Sequence, residues 1–543
     1  MCQEFNAAFY LTCVLVFHNF ITMNDLEKLK YQVSYTFLIK LISMKKKVEI
    51  KNQKAKSLSR RNFISTIGAA SAAFTIIPRH TLGGIGYTAP SDLLNVVGIG
   101  VGGRGISDIT AICPLEVDER QASKIKYDDA TAEVNKSPEY YEEDDEPRKP
   151  EKLANIYGLC DVDEERAFRT FKGYPKAKIY KDFRKMLENE KSIDAVVIAT
   201  PDHTHAVAAM MAMKMGKHVY CEKPLTHTVF EARELARTAK ETGVVTQMGN
   251  QGMAADANRQ LKEWLWAGAI GDVREVHAWS NRPIWPQGIK RPLDTPRVPR
   301  TLDWDLWLGP SPDRPYHPAY VPFAWRGWFD YGSGAIGDEA IHNLAPVFSS
   351  LKLTAPTLIH ASSTPVFTET YPLASVIHFE FPARGKMPPV TIHWYDGGIL
   401  PARPAELDAD AVNGAYSKDL PDWDTENGVI FVGDKGKLLS RGEGTRYLRF
   451  LPNTRLKDFK APKPTLPRSI GHHKEWIEAC KGNGTTESNF GFAGPLTEAC
   501  QLGNISIRMG GAEIRWDSEN LKITNNTKAN SLLHMEYRKG WSL

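Results

Sequence analysis

The stretch LNVVGIGVGGRG, residues 94–105, decides how the rest of the chain is read. Its first half is a short apolar and β-branched run, the composition of a buried parallel strand. That run ends in Gly98, Gly100 and Gly103, spaced GxGxxG, with Gly102 in the same turn. In such a turn the first glycine permits a tight bend and the second lets the backbone approach a pyrophosphate. The third lets the next helix pack on the strand. The N-terminus of that helix then offers free N–H groups to phosphates. A lone glycine turn is as often structural as functional, so the reading depends on what surrounds it.

Downstream, NIYGLC (Asn155 to Cys160) reads as a second strand ending at Asp161. A carboxylate there can accept both ribose hydroxyls of an adenosine and repel a 2′-phosphate, which favours NAD over NADP. Asp161 lies 58 positions beyond Gly103, where roughly 20 is usual. The excess falls in 114–152, which contains YYEEDDEPRKPEK and reads as a solvated surface insertion. IDAVVIAT, residues 193–200, is another buried strand and leads into Thr200, Pro201 and the run PDHTHA. The segment Ala206 to Met215 is an apolar helix, a core stripe rather than a metal box. His203 and His205 lack a third ligand, so no metal site is expected, and the position of His205 after a strand suits cofactor contact. Val219 to Cys221 is a short strand followed by Glu222, Lys223 and Pro224; a helix over Phe230 to Thr242 and a strand over Val244 to Met248 follow.

The second half changes character. Trp- and Pro-rich runs such as TLDWDLWLGP and RPYHPAYVPFAWRGWFDYGSGAIGDEAIHNLAP suggest packing with some pocket wall. SVIHFEF, VTIHWYDG and GVIFVGDKGKLLS suit a large antiparallel sheet with one covered face. Asp338 and His342 are four apart, on one face of a helix, where a carboxylate can support an imidazole. Removing hydride from an alcohol needs a base for the hydroxyl proton, and a histidine titrating near neutrality is the natural choice. Arg326 and Trp328 are candidate substrate contacts by position. Tyr331 and His317 are available as proton carriers, and His472 and His473, before a helix, can return towards the pocket.

GIGVGGRG, IATPDHTHA and CEKPL, in that order, resemble the glucose–fructose oxidoreductase / inositol dehydrogenase (Gfo/Idh/MocA) family over nearly the whole chain from about residue 92. The resemblance implies an α/β protein, with an N-terminal Rossmann dinucleotide-binding domain and a C-terminal α/β domain whose large open sheet is mainly antiparallel. It implies that Lys223 lies between nicotinamide and substrate and that Lys223, Asp338 and His342 form the catalytic set. It also implies a homo-oligomer, dimer or tetramer. GNQGMAADANRQLKEWLWAGAIGDVREV departs from the simpler members and looks more like an exported branch, so no substrate identity carries over.

Export is also suggested by SRRNFI, residues 59–64, where Arg60 and Arg61 precede a moderately apolar run to Pro78. The run is too short and weak for a comfortable membrane span and matches a twin-arginine signal. Met44, followed by KKK, is a natural start for such a leader. The expected division is a leader over 1–90, a nucleotide domain over 91–250 and a substrate and oligomerisation domain over 251–543. With 42% apolar and 24% charged residues and a net charge of +4, nothing suggests a nucleic-acid surface. Seven cysteines without CxxC pairs form neither a zinc pattern nor a disulfide framework, and Cys221 is expected to be buried. Twin-arginine export carries folded proteins, so NAD would be loaded before export to the periplasm and held tightly. The expected activity is oxidation of a ring hydroxyl of a sugar or glycoside. An NAD-dependent glycosidase that cycles through a ketone and a non-catalytic cofactor-holding protein are the alternatives.

Overall fold

The computed structural model describes residues 93–117, 151–412 and 423–543. The leader and most of the acidic insertion lie outside the described residues.

The first layer is a six-stranded parallel sheet. Its strands are β1 (Asn95–Ile99), β2 (Asn155–Cys160), β3 (Lys178–Tyr180), β4 (Ala195–Ile198), β5 (His218–Glu222) and β6 (Thr246–Gly249). Their spatial order is 3-2-1-4-5-6. The order reverses between β1 and β4, and the crevice at such a switch point is where this architecture binds ligands. Around the sheet lie α1 (Arg104–Ile112), α2 (Glu164–Gly173), α3 (Phe183–Asn189), α4 (Asp202–Lys214) and α5 (Val229–Thr242). β4 is fully buried, as its run of Ala, Val and Ile requires. α4 is buried nearly all round and begins at Asp202, earlier than its apolar stretch suggests. Pro201 precedes it with a fixed φ, and Asp202 complements the positive end of the helix. α5 opens on a reciprocal capping box between Thr228 and Glu231 and stops at Gly243 in the left-handed region.

The second layer is a nine-stranded sheet. It comprises β7 (Val273–Ser280), β8 (Leu358–Ser363), β9 (Ser375–Phe381), β10 (Val390–Tyr395), β11 (Asn427–Gly433), β12 (Gly436–Arg441), β13 (Tyr447–Leu451), β14 (Ile514–Asp517) and β15 (Lys522–Ile523). The order is 13-12-11-7-10-9-8-14-15, antiparallel throughout except for the parallel pair β7–β10. The remaining helices are α6 (Asp256–Trp266), α7 (Trp304–Leu308), α8 (Ile341–Leu351), α9 (Ala405–Val412), α10 (His472–Cys480) and α11 (Phe490–Arg508), of which α10 packs through Trp476 and Ile477 into the core of the first sheet. The strands alternate: Val276, Ala278, Ile377, Phe379, Ile392 and Trp394 are buried in one core with Leu344 and Phe348 of α8 and Leu502 of α11. The intervening residues face the other side, where α9 covers one corner through Leu407, packed with Trp279, Ile430 and Leu439. α11 packs both on α5 and on β8, so it joins the two layers.

Candidate active site

A cleft of about 2230 Å³ runs along the strand tips of the first sheet and on to α8. At one end stands the glycine turn. Gly100 has φ +76°, and a Cβ there would lie 2.8 Å from the Ala199 carbonyl oxygen of the neighbouring strand end. Only glycine fits both the angle and the approach. α1 then starts without a side-chain cap and without an acidic residue in its first turn. Its first N–H groups therefore suit an anion. Gly102 and Gly103 line this end, and Arg166 of α2 lies across them, with Nη2 2.9 Å from where a Gly103 Cβ would stand. Gly98 does not reach the cleft wall; it packs under Val101 and Ile109 inside β1 and so supports the turn from behind.

Asp161 lies on the cleft wall, as expected, and also ties the turn together. Its Oδ2 accepts from the Val101 and Gly102 amides at 2.8 and 3.1 Å, and its Oδ1 accepts from the Asp163 amide at 3.0 Å. Burial pushes this carboxyl up, and the three amides oppose the shift. Thr200 and Pro201 continue the wall, and the Thr200 hydroxyl is buried without a partner among the described residues. An uncapped helix, a glycine approach and an orphaned hydroxyl in one line fit a dinucleotide with its pyrophosphate at α1.

His205 does not contact the cleft. Its ring sits behind it, with Nδ1 2.8 Å from the Pro224 carbonyl and Nε2 2.8 Å from the Thr200 carbonyl. It ties the loop after β4 to the loop after β5, so its position after the strand serves scaffolding, not contact. Burial pushes it down to about 4. His203 likewise faces the Tyr331 and Trp307 carbonyls.

At the other end side-chain charges converge. Glu222 closes β5 and accepts from Gln251 at 2.7 Å, and Arg104 of α1 approaches it at 3.4 Å. Lys223 follows. Its Nζ donates to Asp338 Oδ1 at 2.7 Å and to the Asp338 carbonyl at 2.9 Å. Arg326 Nε donates to the same Oδ1 at 2.8 Å. Burial alone would raise the Asp338 carboxyl, but Lys223 and Arg326 hold it well below the usual carboxylate range. Asp338 sits in a π-helical turn, Ile336–Ala340, that runs into α8, not in the simple α-helix expected. Such turns recur at functional sites because they swing side chains out of the α register.

His342 lines the cleft one turn on, and its Nδ1 is buried without a partner among the described residues. No hydrogen bond joins it to Asp338; their coupling is through space. Burial, then the Lys223 ammonium, push the imidazole down to about 4. The expectation of a histidine titrating near neutrality is therefore corrected, because a ring beside a buried cation resists protonation.

Several neighbours were not singled out in the sequence. Arg282 Nε meets Glu339 Oε1 at 3.0 Å. Burial and the Glu443 and Asp338 carboxylates push Glu339 up, against that guanidinium. Asp202 is pushed up by burial to about 7, with Arg326 opposing. Asp202 and Glu339 stand inside the motifs already read, PDHTH and GDEAIH, but nothing local marks them as charged partners. Trp325 and Phe323 form the wall here, and the Arg326 guanidinium lies 4.3 Å from the Trp325 ring centroid. Trp328, expected as a substrate contact, is fully buried away from the wall and donates its Nε1 to the Ala319 carbonyl at 3.0 Å. Tyr331 is buried in the same aromatic cluster, and His317 lies near Asp294 outside the cleft. His472 and His473 do reach the cleft wall: His473 stacks on Tyr220 and meets Asp108 at 3.1 Å.

Two family models match consecutive parts of the chain. The NAD-binding Rossmann fold of the oxidoreductase family matches residues 139–250, and the family's C-terminal alpha/beta domain matches residues 272–365. The 1,5-anhydro-D-fructose reductase of Ensifer adhaerens is 28% identical over 161 residues, 29% of this chain and 37% of that protein. The myo-inositol 2-dehydrogenase of Thermotoga maritima is 29% identical over 155 residues, 28% of this chain and 45% of that protein. The scyllo-inositol 2-dehydrogenase (NAD(+)) of Bacillus subtilis is 34% identical over 107 residues, 20% of this chain and 28% of that protein. The matched stretch thus spans less than half the length of each of these relatives. The first matched model begins beyond the glycine turn, and the structure supplies that turn as β1 of the same parallel sheet. Residues 139–250 and 272–365 thus match, in order, the NAD-binding Rossmann half and the C-terminal α/β half of the Gfo/Idh/MocA oxidoreductase family.

Proposed function

We propose that this protein oxidises a ring hydroxyl of a sugar or glycoside with a resident NAD. The observation that carries the reading is the cluster at the far end of the nucleotide cleft: the Lys223 ammonium locked to Asp338, with the His342 imidazole on the same cleft wall. NAD, when bound, supplies a two-electron hydride acceptor. His342, neutral down to low pH, takes the hydroxyl proton on its imidazole ring. Lys223 donates a hydrogen bond to the same oxygen and stabilises the negative charge that develops as the C–H bond breaks. Asp338 positions Lys223 and Arg326. Trp325 and Phe323 offer apolar faces against which a sugar ring can stack. The products are a ketone, a protonated His342 and the reduced cofactor, so one hydride and one proton leave the alcohol.

Export is the second part of the proposal. Arg60 and Arg61 ahead of the weakly apolar run support twin-arginine transport of the loaded protein to the periplasm. A cofactor carried out in this way has to be reset in place, by a second substrate that accepts the hydride.

The protein should be purified from the periplasm without added nucleotide, then mixed with a panel of glycosides while the reduced-nicotinamide absorbance is followed. A stable rise with formation of a keto-sugar supports a dehydrogenase awaiting its acceptor. A transient rise during cleavage of the glycoside would point to a closed redox cycle instead. Absence of nucleotide in the purified protein would remove the loading argument. Replacing both arginines by lysine should leave the protein in the cytoplasm, as read by fractionation.

A further inference from the structure

The open face of the nine-stranded sheet carries a second cluster of chemistry-bearing side chains, and none of them lines the cleft. The strand register places four histidines in one row: His277 on β7 opposite His393 on β10, His393 opposite His378 on β9, and His378 opposite His360 on β8. Adjacent ring centroids are 4.8, 4.6 and 4.5 Å apart. Glu275, two residues before His277 on β7, points to the same face. Its Oε1 lies 3.2 Å from His277 Nε2 and 3.1 Å from His393 Nε2.

We propose that Glu275, His277 and His393 form a site for a divalent transition ion, Zn²⁺ foremost. One ligand atom from each lies within 4.8 Å of the others. Zn–N and Zn–O bonds of about 2.0–2.1 Å place tetrahedral ligand atoms about 3.3 Å apart, close to the two contacts observed. The other ring nitrogens are held. His277 Nδ1 meets the Tyr395 hydroxyl at 3.0 Å, and His393 Nδ1 meets the Nδ1 of His378. With an ion bound, the Tyr395 hydroxyl and the His378 Nδ1 can each accept a proton from these Nδ1 atoms, the tautomer that frees both Nε2 lone pairs for the ion. Lys437 is the cation near this group, and it is itself paired with Glu406 at 2.8 Å. Two nitrogens and one carboxylate oxygen select a zinc-like ion over Mg²⁺ or Ca²⁺. Glu275 is 44% exposed, which leaves an entry path and a fourth position for water.

The test uses the full chain, stripped with a chelator and titrated with Zn²⁺ by calorimetry and with Co²⁺ by visible absorbance. One equivalent per chain and the intense visible band of tetrahedral Co²⁺ are expected. His277→Gln and His393→Gln should each weaken binding at least about 100-fold, and Tyr395→Phe about tenfold. Glu275→Gln, at a partly exposed position, should also abolish the tetrahedral band with little risk to folding, as circular dichroism would check. His360→Gln, at the far end of the row, should bind like the parent chain. Failure of the parent chain to take up one equivalent overturns the site. So does unchanged binding in Glu275→Gln and His393→Gln, or a loss in His360→Gln as large as theirs.

Discussion

The glycine-turn end of the cleft is made of backbone, whereas the Lys223 end is made of side-chain charge. Gly100, Gly102 and Gly103 leave amides and space, and one carboxylate, Asp161, braces them. At the other end Lys223, Arg326 and Arg282 interlock with Asp338 and Glu339, contributed by separate segments. A backbone site fails by steric intrusion at one position. A charge cluster fails when its sum is disturbed, wherever the change is made. The two ends should therefore break differently.

The largest effect is expected at Lys223. Lys223→Met removes the proposed donor to the reacting oxygen while the glycine turn stays intact. The rate of the hydride step should fall by about 10³-fold, within the range of a general acid–base group. Bound nucleotide should be retained, and single-turnover absorbance reads the step directly. A loss under tenfold would move Lys223 away from the reacting atoms.

Asp338→Asn tests the same end through stability. It leaves two cations facing a neutral amide in a largely buried position, with side-chain exposures of 13% for Lys223 and 19% for Arg326. Removing one member of a buried ion cluster costs about 3 kcal/mol or more. The urea midpoint should fall accordingly, and Lys223→Met in the same chain should restore part of it.

Gly100→Val tests the opposite end. The new Cβ would meet the Ala199 carbonyl at 2.8 Å, at a φ of +76° that valine resists. A strain of about 2 kcal/mol, roughly 30-fold in binding, should appear as lost nucleotide content. The hydride step in molecules that retain cofactor should be nearly unchanged. That split between binding and chemistry is the mirror of Lys223→Met.

The pH profile separates the ends again. The active form of His342 is neutral, and its value near 4 lies below the ordinary 6.5. Lowering the pH from 7 should therefore cost nothing through this residue until about pH 4. At pH 5.5 an ordinary histidine base would already have lost about tenfold. The rate should be measured in the parent chain and in Asp202→Asn, because Asp202, near 7, titrates in the same window. An acid limb near 6.5 in both chains would remove His342 as the buried base.

The same contrast explains what the sequence could disclose. Glycine spacing and strand composition encode backbone, so the turn, the parallel sheet and the short strand before Glu222-Lys223-Pro224 were legible at once. Alternating runs from Ser375 and Val390 likewise gave β9 and β10. The parallel β7–β10 pair was not legible, because pairing partners are chosen by tertiary packing. The π-helical turn at Asp338 was hidden as well, since four-residue spacing looks alike in both helix types. His205 was misplaced because proximity to a strand end does not say which way a ring turns.

Trp325 and Trp328 show the limit at its finest, and their comparison gives the smallest prediction. They stand three apart in one short segment, and only the aromatic cluster beneath decides which is wall and which is core. Trp328 faces Tyr320 edge-on at 4.8 Å and is fully buried, whereas Trp325 carries Arg326 over its ring at the cleft. Trp328→Phe removes a hydrogen bond to the Ala319 carbonyl and some packed volume, so stability should fall by about 1–2 kcal/mol. Substrate KM should barely move. Trp325→Ala should raise KM, because the lost face is one the sugar would use, and since Trp325 is itself only 6% exposed it should lower the unfolding midpoint as well. If Trp328→Phe raised KM more than Trp325→Ala did, the wall would have to be redrawn through the aromatic cluster, and the stacking surface with it.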